Sequence, residues 1–166
     1  VLDRAEHLRN DAARLAALWP DARVLTLDRN ADAEATPARD GLLVRQGAAF
    51  PEGASDDALF LGIDGEGAWF AQVADGLTNA LDLRSAAARL PAFEAGLFAY
   101  ARALLLWRQR TCFCVHCGVA LRTTHAGHVA RCDGCTSDHY PRIDAAVLML
   151  VSDGERLLLG RQSRDR

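Results

Sequence analysis

The sequence predicts an α+β protein in three parts. These are a mixed α/β region over residues 1–110, a small cysteine-built module over 111–140, and, over 141–166, the first β-hairpin of a further domain. Three observations predict it. Two C-x2-C pairs, Cys114/Cys117 and Cys132/Cys135, lie in the last third of the chain. Apolar residues recur at helical spacing from Phe93 to Trp107, just before those pairs. Apolar runs flank two turn signals, Asp64-Gly65-Glu66-Gly67 and Asp153-Gly154.

Asn10 and Asp11 can cap a first helix that carries Leu15, Leu18 and Trp19, and Pro20 ends it. The segments "ARVLTLD" (22–28) and "GLLVRQ" (41–46) read as short strands, with a polar loop, "RNADAEATPARD", between them. "ALFLGIDGEGAWFAQVA" (58–74) reads as a hairpin, because its glycines permit the positive φ a tight turn needs. A long helix follows, with Pro91 suited to its first position. Its Phe93, Leu97, Tyr100, Leu104 and Trp107 share one face, and such a stripe reads as core rather than as a cofactor box. After the cysteines, "AAVLMLVSDGERLLLGRQ" (145–162) reads as a second hairpin.

The bulk properties exclude some functions. Half of the 166 residues are apolar, a quarter are charged, and the net charge is −3. No bulk basic field recruits nucleic acid or an anionic membrane. All 19 basic residues are arginine, as expected of an alanine-rich chain from a GC-rich genome. No apolar run approaches the ~20 residues of a membrane helix, and the charged start, "VLDRAEHLRN", lacks a signal peptide's apolar stretch. Without a secretory signal, paired cysteines favour metal over disulfides, and with it a reducing, cytoplasmic location.

The four paired cysteines have zinc-ribbon spacing. Each two-residue gap lets both thiolates of a knuckle reach one ion, and two knuckles joined by a hairpin complete a tetrahedron of sulfur. "VALRT" and "HVAR" are the strand candidates, around "HAG", and Gly118 follows the first knuckle. One structural Zn2+ per chain on Cys114, Cys117, Cys132 and Cys135 is the expectation. Iron in the same sulfur site is the alternative. A redox C-x-x-C needs only one pair. Cys112 could replace Cys114, but its spacing to Cys117 is less usual, so it reads as free. His116, His125, His128 and His139 read as exposed loop and strand residues, since no cysteine is missing. Four thiolates leave no open position for a catalytic water, so the metal's part is in folding.

"FCVHCG", then "CDGC", then "YPRID" before an apolar run resembles the NADH pyrophosphatase branch of the Nudix hydrolases. "FEAGLFAYARALLLWRQR" resembles that family's helix before its ribbon, and "DRAEHLR" and "LFLGIDGEGAWFA" resemble its N-terminal domain. The resemblance implies that the last segment opens a Nudix α/β/α domain. It implies an NAD+ diphosphatase that cleaves NADH to reduced nicotinamide mononucleotide and AMP, and it allows removal of an NAD cap from RNA. It also implies a homodimer, and Mg2+ or Mn2+ held by the glutamates of a Nudix box.

The six glutamates here are Glu6, Glu34, Glu52, Glu66, Glu94 and Glu155, no two adjacent, so no Nudix box and no catalytic residue can be assigned. The expectation is a chain truncated before the box, inactive alone, from an active parent. The resemblance places Tyr140, in "YPR", near the substrate; an ordinary packed tyrosine at the ribbon junction is the other reading. It places Arg84, in "LDLRS", where an arginine can reach substrate across a dimer; an exposed helix-start arginine is the other reading. The competing function is a zinc-ribbon module that binds nucleic acid or protein without catalysis. Arg122 and Arg131 are the only arginines between the outer cysteines, which is sparse for that role.

Overall fold

The computed structural model describes residues 1–55, 58–142 and 149–159. The first helix, α1 (Ala12–Leu18), is capped by Asp11, whose carboxylate accepts the Arg14 N–H at 2.9 Å. Its apolar side turns Leu15 and Trp19 into a small core with Val24, Phe60 and Phe70. The strands β1 (Arg23–Leu27), β2 (Ala33–Glu34), β3 (Val44–Gln46), β4 (Leu59–Asp64), β5 (Gly67–Val73) and β6 (Ala80–Leu81) form one sheet. Its order is β4-β5-β1-β2-β6, with β3 also paired to β1. β4 and β5 make the expected hairpin, while β1 and β5 run parallel.

Two helices, α2 (Leu83–Arg89) and α3 (Ala92–Arg110), pack on the sheet face opposite α1. The apolar stripe read from the sequence is displaced. Leu97 and Leu104 are buried as expected, but their companions are Phe98, Ala101 and Leu105. Phe93 is 40% exposed, and Tyr100 and Trp107 are only partly buried. Ala101 lets the helix approach the sheet, Phe98 fills the contact, and the rings of Phe93, Tyr100 and Trp107 lie along its border. Glu94 fixes the start of α3, where its carboxylate accepts the Leu42 N–H at 2.7 Å. Pro91 is the N-cap rather than the first helical residue.

The segment expected as a polar loop, 29–40, is exposed at both ends, but its middle, 31–35, lies largely inside. Ala31, Ala33 and Ala35 are buried, and β2 lies within it. Its one glutamate, Glu34, is buried and pairs through both oxygens with Arg45 of β3. That hydrogen-bonded pair, outweighing burial, holds the Glu34 carboxyl below its usual range. Arg102 of α3 reaches across to Asp32 at 2.9 Å. Small side chains and paired charges let a polar-looking sequence pack, which composition alone does not reveal.

β7 (Leu121–Thr124), β8 (Val129–Cys132) and β9 (Asp138–His139) form a second, antiparallel sheet, the ribbon. Beyond it, Ser152 pairs with Leu157 across the Asp153-Gly154 turn, as expected. The rest of that predicted hairpin, over 145–148 and 160–162, lies outside the described residues. No helix among the described residues is long and apolar enough to cross a membrane.

Gly47 marks the tightest approach in the smaller core, since a Cβ there would sit 1.7 Å from the Trp19 carbonyl oxygen. Trp19 packs edge-on against Phe70, with ring centroids 5.1 Å apart. Gly47→Ala must therefore displace the end of α1. It is expected to destabilise the protein by about 1–3 kcal/mol, read as a lower urea midpoint. An unchanged midpoint would mean that α1 yields freely.

Candidate metal centre and adjoining cleft

The metal centre begins where α3 ends. Two knuckles of matching geometry follow. In the first, the Cys114 N–H donates to the Val119 carbonyl at 2.8 Å and the Gly118 N–H to the Cys114 carbonyl at 2.9 Å. Gly118 sits at φ 75°, as the turn requires. The His116 N–H points at Cys114 Sγ, 3.4 Å away. In the second, the Cys132 N–H donates to the Ser137 carbonyl at 2.9 Å, and the Cys135 N–H points at Cys132 Sγ, 3.4 Å away. Thr136, at φ 59°, takes the position that Gly118 takes in the first knuckle.

These turns bring four sulfurs together. Cys114 and Cys135 are 3.5 Å apart, Cys117 and Cys132 are 3.3 Å apart, and all four Sγ atoms lie within 4.8 Å of one another. A disulfide needs ~2.05 Å. Four thiolates ~2.3 Å from a tetrahedral ion need roughly 3.8 Å between sulfurs. The residues fit such an ion, and the cluster could hold a metal such as zinc. Hydrogen bonds from the Ser137 side chain and backbone, with the Cys114 and Cys117 sulfurs, bring Cys135 down to about 6. At Cys117 the Val119 N–H also lowers the pKa, but the Cys132, Cys135 and Cys114 sulfurs and burial outweigh it, and the thiol rises to about 12. Sulfurs this close oppose ionising together, and a divalent cation among them removes the conflict. Cys112 stays outside the cluster, exposed, with its Sγ 3.1 Å from the Gln109 carbonyl oxygen.

The ribbon is held to the larger sheet at its tip. β4 is an edge strand, and two segments cover its open side. Asp3 pairs with Ile63, and the turn after β7 lies against Leu59 and Phe60. A Cβ on Gly127, at φ 97°, would stand 2.3 Å from Leu59 Cδ2, so glycine is what lets the turn close. His128 follows. The sequence reading expected it exposed, yet it is 7% exposed, with Nε2 2.8 Å from the Phe60 carbonyl oxygen. A carbonyl only accepts, so the proton of the neutral ring is on Nε2. Covering an edge strand is a long-range requirement that the turn's own sequence does not display.

Beside this contact, α3, the N-terminal segment and the ribbon junction enclose a cleft of about 540 Å³. Arg4, Arg9, Tyr100, Trp107, His128 and Tyr140 line it. Tyr140 is 60% exposed at the ribbon junction. Arg84 is exposed in the first turn of α2 and lines neither of the clefts that Tyr140 lines. The sequence reading missed Arg4 and Arg9. Both stand within "DRAEHLR", the segment quoted only for its family resemblance, and their placement depends on packing against α3.

The family model described as the NADH pyrophosphatase-like rudimentary NUDIX domain matches residues 12–107, more than half of the chain. The chain belongs to the NADH pyrophosphatase-like Nudix family. The NAD-capped RNA hydrolase NudC of Mycobacterium tuberculosis is 32% identical over 179 residues, which cover 97% of this chain and 54% of that protein. The human NAD-capped RNA hydrolase NUDT12 is 40% identical over 81 residues, 43% of this chain and 18% of NUDT12. The chain thus spans about half the length of NudC and aligns with it through both sheets. The family resemblance seen in "FCVHCG…CDGC…YPR" and the helix before it is borne out.

Proposed function

We propose that these 166 residues are the N-terminal and ribbon part of an NAD(H) pyrophosphatase, and that the bond-breaking residues lie outside them. The parent cleaves NADH to reduced nicotinamide mononucleotide and AMP, and it takes NAD-capped RNA as a substrate as well. The observation that carries this reading is the alignment to NudC along 97% of the chain. The ion in the ribbon is zinc, held by Cys114, Cys117, Cys132 and Cys135. When bound it supplies folding energy, because four thiolates complete its coordination. The protein's own residues orient: α3 runs from the sheet to the first knuckle, and His128 ties the ribbon tip to β4. The protein acts as a homodimer in the cytoplasm, and Mg2+ or Mn2+ serves a Nudix box that these residues lack.

The alternative, a ribbon that binds nucleic acid through its own basic strands, loses support from two ion pairs. Arg122 engages Asp133 at 3.1 Å, and Arg131 engages Asp138 at 2.7 Å. Both ribbon arginines are thus already met by carboxylates.

The test is hydrolysis of NADH with Mg2+ or Mn2+. The zinc-loaded 166 residues are expected to release neither AMP nor reduced nicotinamide mononucleotide. A longer chain that continues through a Nudix box is expected to release both in equal amounts. Turnover by the 166 residues would overturn the placement of catalysis outside them. Silence from the longer chain would overturn the pyrophosphatase reading.

A further inference from the structure

The four clustered sulfurs are not equivalent. Cys114 and Cys132 are buried, whereas Cys117 and Cys135 are exposed. Each exposed sulfur stands against a buried one from the other knuckle. Cys117 is 3.3 Å from Cys132, and Cys135 is 3.5 Å from Cys114. The buried sulfurs are held in place by backbone N–H groups, that of His116 at Cys114 Sγ and that of Cys135 at Cys132 Sγ, both 3.4 Å away. An exposed thiolate is open to oxidants, and a second thiolate beside it can turn its first oxidation product into a disulfide before irreversible acids form. The cluster contains two such couples, each with an outer sulfur for the oxidant and an inner one to resolve it. Cys112 is exposed too, but its Sγ contacts the Arg108 and Gln109 carbonyl oxygens rather than a sulfur.

We propose that the ribbon is a reversible, peroxide-responsive switch, in which zinc on four thiolates gives way to a disulfide between the two knuckles. The Cys117 thiolate attacks a peroxide oxygen, the O–O bond breaks, hydroxide leaves, and a sulfenic acid stands on Cys117. The Cys132 thiolate then attacks that sulfur, and a second hydroxide leaves as the S–S bond forms. Two thiolates have together lost two electrons, hydrogen peroxide has taken them, and both hydroxides become water by protonation from solvent. Cys135 and Cys114 can react in the same way. Two thiolates are too few to keep a tetrahedral zinc ion, so the metal leaves. A thiol reductant reverses the step by disulfide exchange.

Either bond joins the first knuckle to the second, as the ion does. The Cys117 and Cys132 sulfurs have about 1.3 Å to close before they reach the ~2.05 Å of an S–S bond. Cys117 precedes β7 and Cys132 ends β8, so the new bond spans the base of their hairpin. The strand pairing and the contact of His128 with Phe60 lie beyond that base and need not break. Oxidation therefore differs from chelation, because the metal is lost while the ribbon keeps its fold. This switch requires zinc in the ribbon and is independent of the pyrophosphatase reading.

The test uses the zinc-loaded 166-residue chain carrying Cys112→Ser, which removes the one cysteine outside the cluster. Metal analysis comes first, and a ribbon without zinc at that stage overturns the zinc reading and the switch together. The chain is then treated with hydrogen peroxide beside a chromogenic chelator, alkylated, and digested for mass spectrometry. Zinc release is expected to track disulfide formation one for one and to run faster than with the chelator alone. The linked peptides should carry Cys117–Cys132 or Cys114–Cys135. The oxidised chain should resist protease between 115 and 139, where chelator-stripped reduced chain is cut. Dithiothreitol with Zn2+ should restore the metal. The switch alone is overturned if zinc stays bound under peroxide, or if the bonds form within a knuckle or between chains. It is likewise overturned if sulfinic or sulfonic acids replace the disulfide, or if the oxidised ribbon is cut as fast as the stripped one.

Discussion

Cys132→Ser is expected to strip the metal from the ribbon, while Cys112→Ser keeps it. Cys132 is fully buried, its N–H is bonded to the Ser137 carbonyl, and its Sγ receives the Cys135 N–H. It therefore holds the second knuckle as well as offering a thiolate. Structural zinc sites bind with apparent free energies of roughly 10–16 kcal/mol near neutral pH, and that energy is folding energy. A serine hydroxyl cannot replace the thiolate, so a large share is lost. The described ribbon has little apolar core of its own beyond Val129 and Ala130, and should lose its strands with the ion. After dialysis against a weak chelator, one zinc per chain is expected for the unaltered protein and for Cys112→Ser. Cys132→Ser should retain almost none and be cut rapidly by protease between 115 and 139. Zinc lost from Cys112→Ser instead would put Cys112 among the ligands and displace one of the four cysteines. The damage should also spread. Without the ribbon tip the outer side of β4 loses the cover of Gly127 and His128, so the larger sheet should be less stable too.

Much of this frame was legible in the sequence because its determinants are local. The knuckles are set by two-residue gaps and by the residue after each pair. The β4–β5 hairpin is set by Gly65 and Gly67 between apolar runs, and α1 by Asp11 and Pro20. What was not legible depends on partners far away in the chain. His128 meets Phe60 across 68 residues, and Arg9 meets Tyr100 across 91. Nothing near "HAGH" says that an edge strand needs covering. The α3 stripe misled for a related reason. Periodicity shows which residues share a face, but the depth of each depends on what the facing sheet offers. β1 and β5 offer Leu25, Leu27 and Ala71, against which Phe98 and Ala101 fit more closely than Tyr100 or Trp107. Those two rings were left at the border, where the cleft forms.

Stability is expected to fall as the pH drops from about 6.5 to about 4, and His128→Gln should remove most of that fall. Burial pushes the His128 pKa down from the usual 6.5 to about 4. The Phe60 hydrogen bond opposes the shift, Arg9 and Arg4 reinforce it, and Glu6 opposes it again. Tyr100, whose ring centroid lies 6.1 Å away, is neutral in this range, its own pKa raised mainly by burial. A folded-state pKa below the unfolded value means that the unfolded chain binds more protons between the two. Stability therefore rises with pH across that window, is complete above 6.5, and has lost the histidine's share below 4. The span corresponds to about 3 kcal/mol. Asp64 acts in a separate window. Its pKa, lowered to about 2 by Trp69, Glu66 and Arg23 against the effect of burial, adds stability above 3.8 that is lost only below that. Thiolate protonation also releases metal in acid, but it does so in both proteins, so the difference between their urea midpoints isolates His128. Glutamine keeps an N–H donor for the Phe60 carbonyl and cannot titrate. If the two profiles stay parallel from pH 7 to pH 4, His128 is not held neutral against β4, and the ribbon tip is not anchored there.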